Sequence, residues 1–107
     1  MYVRVTTFPG LAPERIKATL EEFQTEYLPK YEQQSGYRGV FAAVDYPGGR
    51  AIVVTYWDTL EALQATDQLA AQTRTAAVSA AGLDRSRPPI IDSYQVVLDK
   101  TFDASSR

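Results

Sequence analysis

The chain has 107 residues, 45% hydrophobic and 22% charged, with a formal net charge of -2, which bounds it to one ordinary globular domain. It contains no cysteine and no histidine, which excludes disulfides, a thiolate nucleophile, a Ser-His triad and imidazole ligation of zinc or haem. The scattered basic residues make no footprint for nucleic acid or a membrane surface, and no apolar run approaches the ~20 residues needed to span a bilayer.

Residues Tyr2 to Phe8 alternate and are rich in β-branched and aromatic types, which predicts a first strand. Pro9-Gly10-Leu11-Ala12 reads as a turn. Pro13 suits the first position of a helix, where its missing N–H would have no partner anyway, and Glu14 sets negative charge at the positive end of the helix dipole. Ile16, Leu20, Phe23, Tyr27 and Tyr31 follow at spacings of 4, 3, 4 and 4, one apolar stripe on a helix of several turns. Pro29 interrupts it and predicts a kink or an irregular last turn.

Ser35-Gly36 ends that helix, and Tyr37 to Asp45 reads as a second strand. Tyr46-Pro47-Gly48-Gly49 is a hairpin turn, and Arg50 to Trp57 returns as a third strand. A second helix is expected from about Thr59 to Ala81, with Leu60, Leu63, Ala70, Ala77 and Ala81 on one face and Gly82 as its stop. A polar loop from Leu83 to Pro89 leads to a last strand, Ile91 to Leu98. Residues 1–100 are expected to form the domain and 101–107 a polar C-terminal tail, with Phe102 able to pack on a partner. The chain begins directly as a strand, without the layout of a signal peptide, so the expected location is the cytoplasm.

The order β-α-β-β-α-β is the split-βαβ, ferredoxin-like α+β arrangement: a four-stranded antiparallel sheet with both helices on one face. The other face then needs a cover. On the third strand the two alternating sets are Ile52, Val54 and Tyr56 against Ala51, Val53, Thr55 and Trp57, and neither is a solvated face. A sheet apolar on both faces is expected to be covered on both. With two helices available, the second cover is expected to be another copy of the chain, a homodimer through the open sheet face.

The stretch Thr55-Tyr56-Trp57-Asp58-Thr59-Leu60-Glu61-Ala62-Leu63 closes a strand and opens a helix, with the only tryptophan at the junction. Asp58 or Thr59 can cap the helix, and Glu61 can reach back to the free amides of its first turn. A strand ending in Trp-Asp and running straight into a capped helix resembles the third strand and second helix of the dimeric α+β barrel superfamily. Within it, the chain is similar to the antibiotic-biosynthesis-monooxygenase-like domains. The likeness runs from Val3-Arg4-Val5 to Tyr94-Gln95-Val96. It implies two sheets packed face to face across a two-fold axis. For some members it implies oxidation of aromatic substrates with no metal and no flavin, in which the substrate anion itself reacts with oxygen. Relatives that degrade haem use a histidine ligand, which this chain lacks.

The candidate site is placed on the open face, between sheet and partner. Trp57 matches the position of the motif tryptophan, and Arg4 is assigned the cationic role without a motif to fix it. Thr6, Thr55, Tyr37 and Tyr94 are the candidate substrate-binding residues; no metal and no cofactor are expected. Each has a plainer reading. Trp57 suits a core or interface aromatic, and Arg4 a salt-bridge partner of Asp45, Asp92 or Asp99. Tyr37 and Tyr94 suit interface aromatics with satisfied hydroxyls, Arg38 a solvated edge residue and Arg74 a surface residue. Glu21, Glu22, Glu26 and Glu32 read as the wet face of the first helix. Three functions stay open: a cofactor-independent monooxygenase on a small aromatic or polyketide-like substrate, a non-catalytic dimeric binder of a small apolar ligand, and a stress-response barrel filled by its own side chains.

Overall fold

In the computed structural model the described residues are 1–81 and 87–100, and the side chains of residues 78–81 lie outside the description. The expected tail, Gly82 and most of the polar loop therefore lie outside the described residues.

Four strands, β1 (Tyr2–Phe8), β2 (Tyr37–Asp45), β3 (Arg50–Trp57) and β4 (Ile90–Gln95), form one antiparallel sheet in the order β2-β3-β1-β4. The helices are α1 (Pro13–Glu22), α2 (Leu28–Glu32), α3 (Leu60–Ala65) and α4 (Asp67–Ala81). This is the ferredoxin-like order read from the sequence. The last strand is shorter than expected: pairing with β1 ends at Gln95, and beyond it the Val96 amide still donates to the Met1 carbonyl at 2.9 Å.

Pro29 acts as expected, one turn early. Between α1 and α2 lies a single π turn, Phe23–Tyr27, in which the Leu28 amide donates to the Phe23 carbonyl five residues back. Proline has no N–H to continue the regular ladder, and the wider turn ahead of it absorbs the mismatch.

The second helix breaks where the sequence predicts one continuous run. The Thr66 hydroxyl donates to the Leu63 carbonyl at 2.7 Å, and the Thr66 amide bonds the same carbonyl at 3.1 Å. A side chain that bonds the backbone locally competes with the helical ladder. The start of α3 follows the sequence closely: the Thr59 hydroxyl accepts the Ala62 amide at 3.1 Å, while Asp58 turns outward to Arg38.

The hairpin between β2 and β3 needs Gly49. Its φ of +62° lies in the left-handed region, and a Cβ there would sit 2.6 Å from the Leu11 carbonyl oxygen. The amide of that same residue, Leu11 N–H, donates to the Gly49 carbonyl at 2.7 Å, so the hairpin holds the entry to α1.

A candidate site between sheet and helices

The register decides which side chains share a face. Arg4 lies opposite Thr55, Thr6 opposite Val53, Phe8 opposite Ala51 and Tyr2 opposite Trp57. This set faces the helices. The alternate set, Val3, Val5 and Thr7 with Ile52, Val54 and Tyr56, forms the open face. The expectation that Arg4, Thr6, Thr55 and Trp57 line the space between sheet and partner is thus corrected. Period-two alternation separates the two sets but does not say which one the helices cover.

The core cluster is Tyr31, Trp57 and Leu63, with Tyr2, Phe23, Tyr27, Tyr37, Ala62 and Leu69 packed around it. Trp57 is 0% exposed, and its indole N–H donates to the Thr55 hydroxyl at 3.0 Å. Tyr37 meets it edge-on at 5.8 Å, and Tyr31 meets it tilted at 6.4 Å. A buried indole needs a partner for its donor, and a neighbour two residues along the strand supplies one.

Beside this cluster lies a half-open cavity of ≈ 80 Å³ between the sheet and helices α1 and α4. Its sheet wall is Arg4, Thr6, Phe8, Ala51, Val53 and Thr55. Its helical wall includes Ile16, Thr19, Leu20, Phe23, Tyr31, Ala70, Thr73, Arg74 and Ala77. The small residues Ala70 and Ala77 leave space on the α4 side of this cavity.

Arg4 is buried and bonded through both terminal nitrogens. It pairs with Asp67, donates to the Leu63 carbonyl at 3.0 Å and to the Thr66 hydroxyl at 3.2 Å. Its ion-pair partner is therefore Asp67; of the carboxylates considered from the sequence, Asp45 instead bonds Arg50 at 2.5 Å. The arginine ties β1 to the break between α3 and α4, which sets the bearing of α4 over the cavity.

Arg74 is the residue sequence reasoning passed over. It is half-buried in the cavity wall, not on the outer surface, and it makes no ion pair among the described residues. Burial, then the neighbouring Arg4 charge, pull its pKa below the ordinary value, while Tyr31 and Asp67 oppose that shift. A guanidinium nonetheless stays charged at neutral pH. Tyr31 stands across from it: its hydroxyl donates to the Thr73 hydroxyl at 3.0 Å, which donates in turn to the Leu69 carbonyl at 2.8 Å. Burial raises the Tyr31 pKa, against the hydrogen bond with Thr73 and the charges of Arg4 and Arg74. A signal was present in the sequence. Thr73 and Arg74 fall three and four residues after Ala70 on the small-residue helix, the spacing that shares a face.

Of the residues singled out from the sequence, Arg4, Thr6 and Thr55 are brought together on the cavity wall. Trp57 lies beneath Thr55, off the wall, and Tyr37 packs behind Trp57. Tyr94 pairs with Val3 on the opposite face and is 55% exposed. Glu21, Glu22, Glu26 and Glu32 are exposed, as read. Among the described residues no group of acidic side chains could hold a metal ion, and no helix is long and apolar enough to cross a membrane.

No protein-family model matches the sequence, and no curated protein matches it. Solved structures do. A monooxygenase from the gene ActVA-Orf6 of Streptomyces coelicolor, in complex with nanaomycin D, is similar with a TM-score of 0.75 at 19% identity, over 95% of this chain and 92% of that one. SnoaB from Streptomyces nogalater, a cofactor-independent oxygenase solved in a mutant form, is similar with a TM-score of 0.63 at 11% identity, over 92% of this chain and 95% of that one. NE2512 from Nitrosomonas europaea, a protein of unknown function, is similar with a TM-score of 0.65 at 21% identity, over 96% of each. The chain has the fold of the antibiotic-biosynthesis-monooxygenase-like α+β barrel proteins.

Proposed function

We propose that the protein is a cofactor-independent monooxygenase that oxidises a small phenolic substrate held between its sheet and helices. The observation that carries this reading is Arg74: a cation without an ion-pair partner among the described residues, on the wall of an otherwise largely apolar cavity. A cation bordering a largely apolar site favours whatever negative charge develops beside it. An ionised phenol is electron-rich at its para carbon. Dioxygen, the oxidant, adds there to give a hydroperoxide; loss of water leaves the quinone, so one oxygen atom enters the product and the other leaves as water. Of the titratable side chains acting on Arg74, Tyr31 is pushed above its ordinary value, Arg4 is a cation and the Asp67 carboxylate is paired with Arg4, which leaves none placed as a base at neutral pH. Ionisation would therefore come from Arg74 lowering the substrate's own pKa, with the proton leaving to solvent. The fold likeness to named monooxygenases supports the same reading.

The reading includes a homodimer. The open face carries Phe41 at 50%, Ile90 at 54% and Tyr94 at 55% exposure, with Asp92 between the last two, a face rich in exposed apolar side chains that a second copy would cover.

The test is oxygen uptake with phenols and hydroquinones at neutral pH. Catalysed uptake is expected, with kcat/KM falling about tenfold or more in Arg74→Met. Saturable ligand binding without oxygen uptake would overturn the enzyme and leave a binding protein. Arg4 and Trp57, the catalytic candidates read from the sequence, donate instead to groups of the protein itself.

A further inference from the structure

Resting on the reading of this cavity as a substrate site, we propose that it admits aromatic anions of a single ring and that Phe23 sets the limit. The cavity measures ≈ 80 Å³. An apolar cavity of about 150 Å³ holds benzene, and sites for larger organic ligands run from about 300 Å³ upward. A half-open space of this size covers at most one ring, with part of it in the open mouth; three fused rings are enclosed only if a wall moves.

Phe23 is the part of the wall placed to decide this. On its far side lies a second void of ≈ 30 Å³ between the π turn and α4. The two spaces share Thr19, Phe23, Thr73 and Ala77, and of these only Phe23 is large. Its ring therefore stands as the partition, braced against Tyr31 at 6.0 Å. Phe23 is also the residue whose carbonyl accepts the five-residue bond of the π turn, so the irregular backbone forced ahead of Pro29 sets the position of its side chain. The anion preference follows from charge. Two guanidinium groups, Arg4 and Arg74, border the cavity against the single carboxylate of Asp67, and that carboxylate is taken by Arg4. One positive charge is left for a ligand to match.

Binding of benzoate, 2-naphthoate and anthracene-2-carboxylate, which share one carboxylate and differ in ring count, tests the size limit by calorimetric titration. Benzamide serves as the neutral counterpart of benzoate. The wild-type protein is expected to bind benzoate about tenfold or more tighter than benzamide and than the three-ring acid. Phe23→Ala joins the two spaces and is expected to shift the preference to the two- or three-ring acid by a similar factor. Phe23→Leu keeps the core filled and is expected to shift it partway, which decides the matter where the alanine variant fails to fold. Equal or tighter wild-type binding of the three-ring acid, or an unchanged ranking in the folded variants, overturns the size limit while leaving the site intact. Binding of none of these ligands to any variant removes the site itself, and the size limit with it.

Discussion

The two faces of the sheet hold unlike residues at unlike depths. The face covered by helices carries Arg4, Thr6 and Thr55, all buried, while the face left open carries Phe41, Ile90 and Tyr94, all half or more exposed. On the covered side, each polar group is accounted for or borders the cavity: Arg4 by Asp67, Thr66 and the Leu63 carbonyl, Thr55 by the Trp57 indole. No buried side-chain polar atom among the described residues lacks a hydrogen bond. Burying polar groups is tolerable when they are bonded, so this face holds Arg4 and Thr55 among Phe8, Ala51, Val53 and Trp57 around a cavity. The open side has no comparable bonding. Its apolar surface matches an interface awaiting a cover. The difference teaches that burial in a single chain is a poor guide to which face holds the proposed site and which the proposed seam.

The comparison breaks most visibly at Trp57. Trp57→Ala empties the centre of the covered face and leaves Thr55 without its donor, and an expected loss of about 3–5 kcal/mol appears in urea denaturation. A loss under about 1 kcal/mol would mean the covered face has no packed core at that end.

On the open face, Phe41→Lys places a charge in the proposed seam. Unfolding of the protomer should change by no more than about 0.5 kcal/mol, since Phe41 is already half exposed. Light scattering should nonetheless fall from the dimer mass toward the 11.9 kDa of one chain, with the dimer Kd raised about 100-fold. A wild-type protein that is monomeric at high concentration would remove the seam from the comparison.

A subtler contrast uses Tyr31. The folded protein holds the Tyr31 proton more tightly than the unfolded chain does, chiefly through burial. The associated stability is present below the unfolded value of about 10 and is lost as pH rises through the raised folded value. Denaturation midpoints should therefore decline above pH ~10, and Tyr31→Phe should flatten that decline while costing about 1 kcal/mol at neutral pH through the lost bond to Thr73. An unaltered slope in the variant would show that the hydroxyl is not buried.

The smallest effect belongs to neither face. Arg38 and Asp58 form an ion pair at 3.1 Å with both side chains more than half exposed. Arg38→Ala should change stability by less than about 0.5 kcal/mol, which sets the baseline for the other measurements.

Much of the architecture was legible residue by residue. Pro13 marked a helix start, Asp58 or Thr59 a cap, Tyr46-Pro47-Gly48-Gly49 a hairpin turn and Pro29 a disturbed helix, because each of these acts through its own backbone or its nearest neighbours. The break at Thr66 was not, since a threonine bonds back to its helix or points outward depending on what lies across from it, and Arg4 lies across. The site was half legible. Arg4, Thr6 and Thr55 were correctly grouped on one face, because strand alternation is a local property. Tyr94 was placed with them without knowing the register of β4, and Arg74 was set aside because a lone arginine on a helix has no pattern that marks it as inward.

The sequence by itself determined the element order, the antiparallel α+β topology and the two alternating faces of the sheet. Periodicity, turn chemistry and chain connectivity are written along the chain. Only the tertiary structure decided that the face carrying Arg4, Thr6 and Thr55 is the one under the helices, that Arg4 spends its charge on Asp67, and that Arg74 lies on the cavity wall beside Tyr31. Those outcomes depend on register and on the packing of α4 over the sheet; the bonds from Arg4 to Leu63 and Thr66 alone join residues 59 and 62 positions apart in the chain.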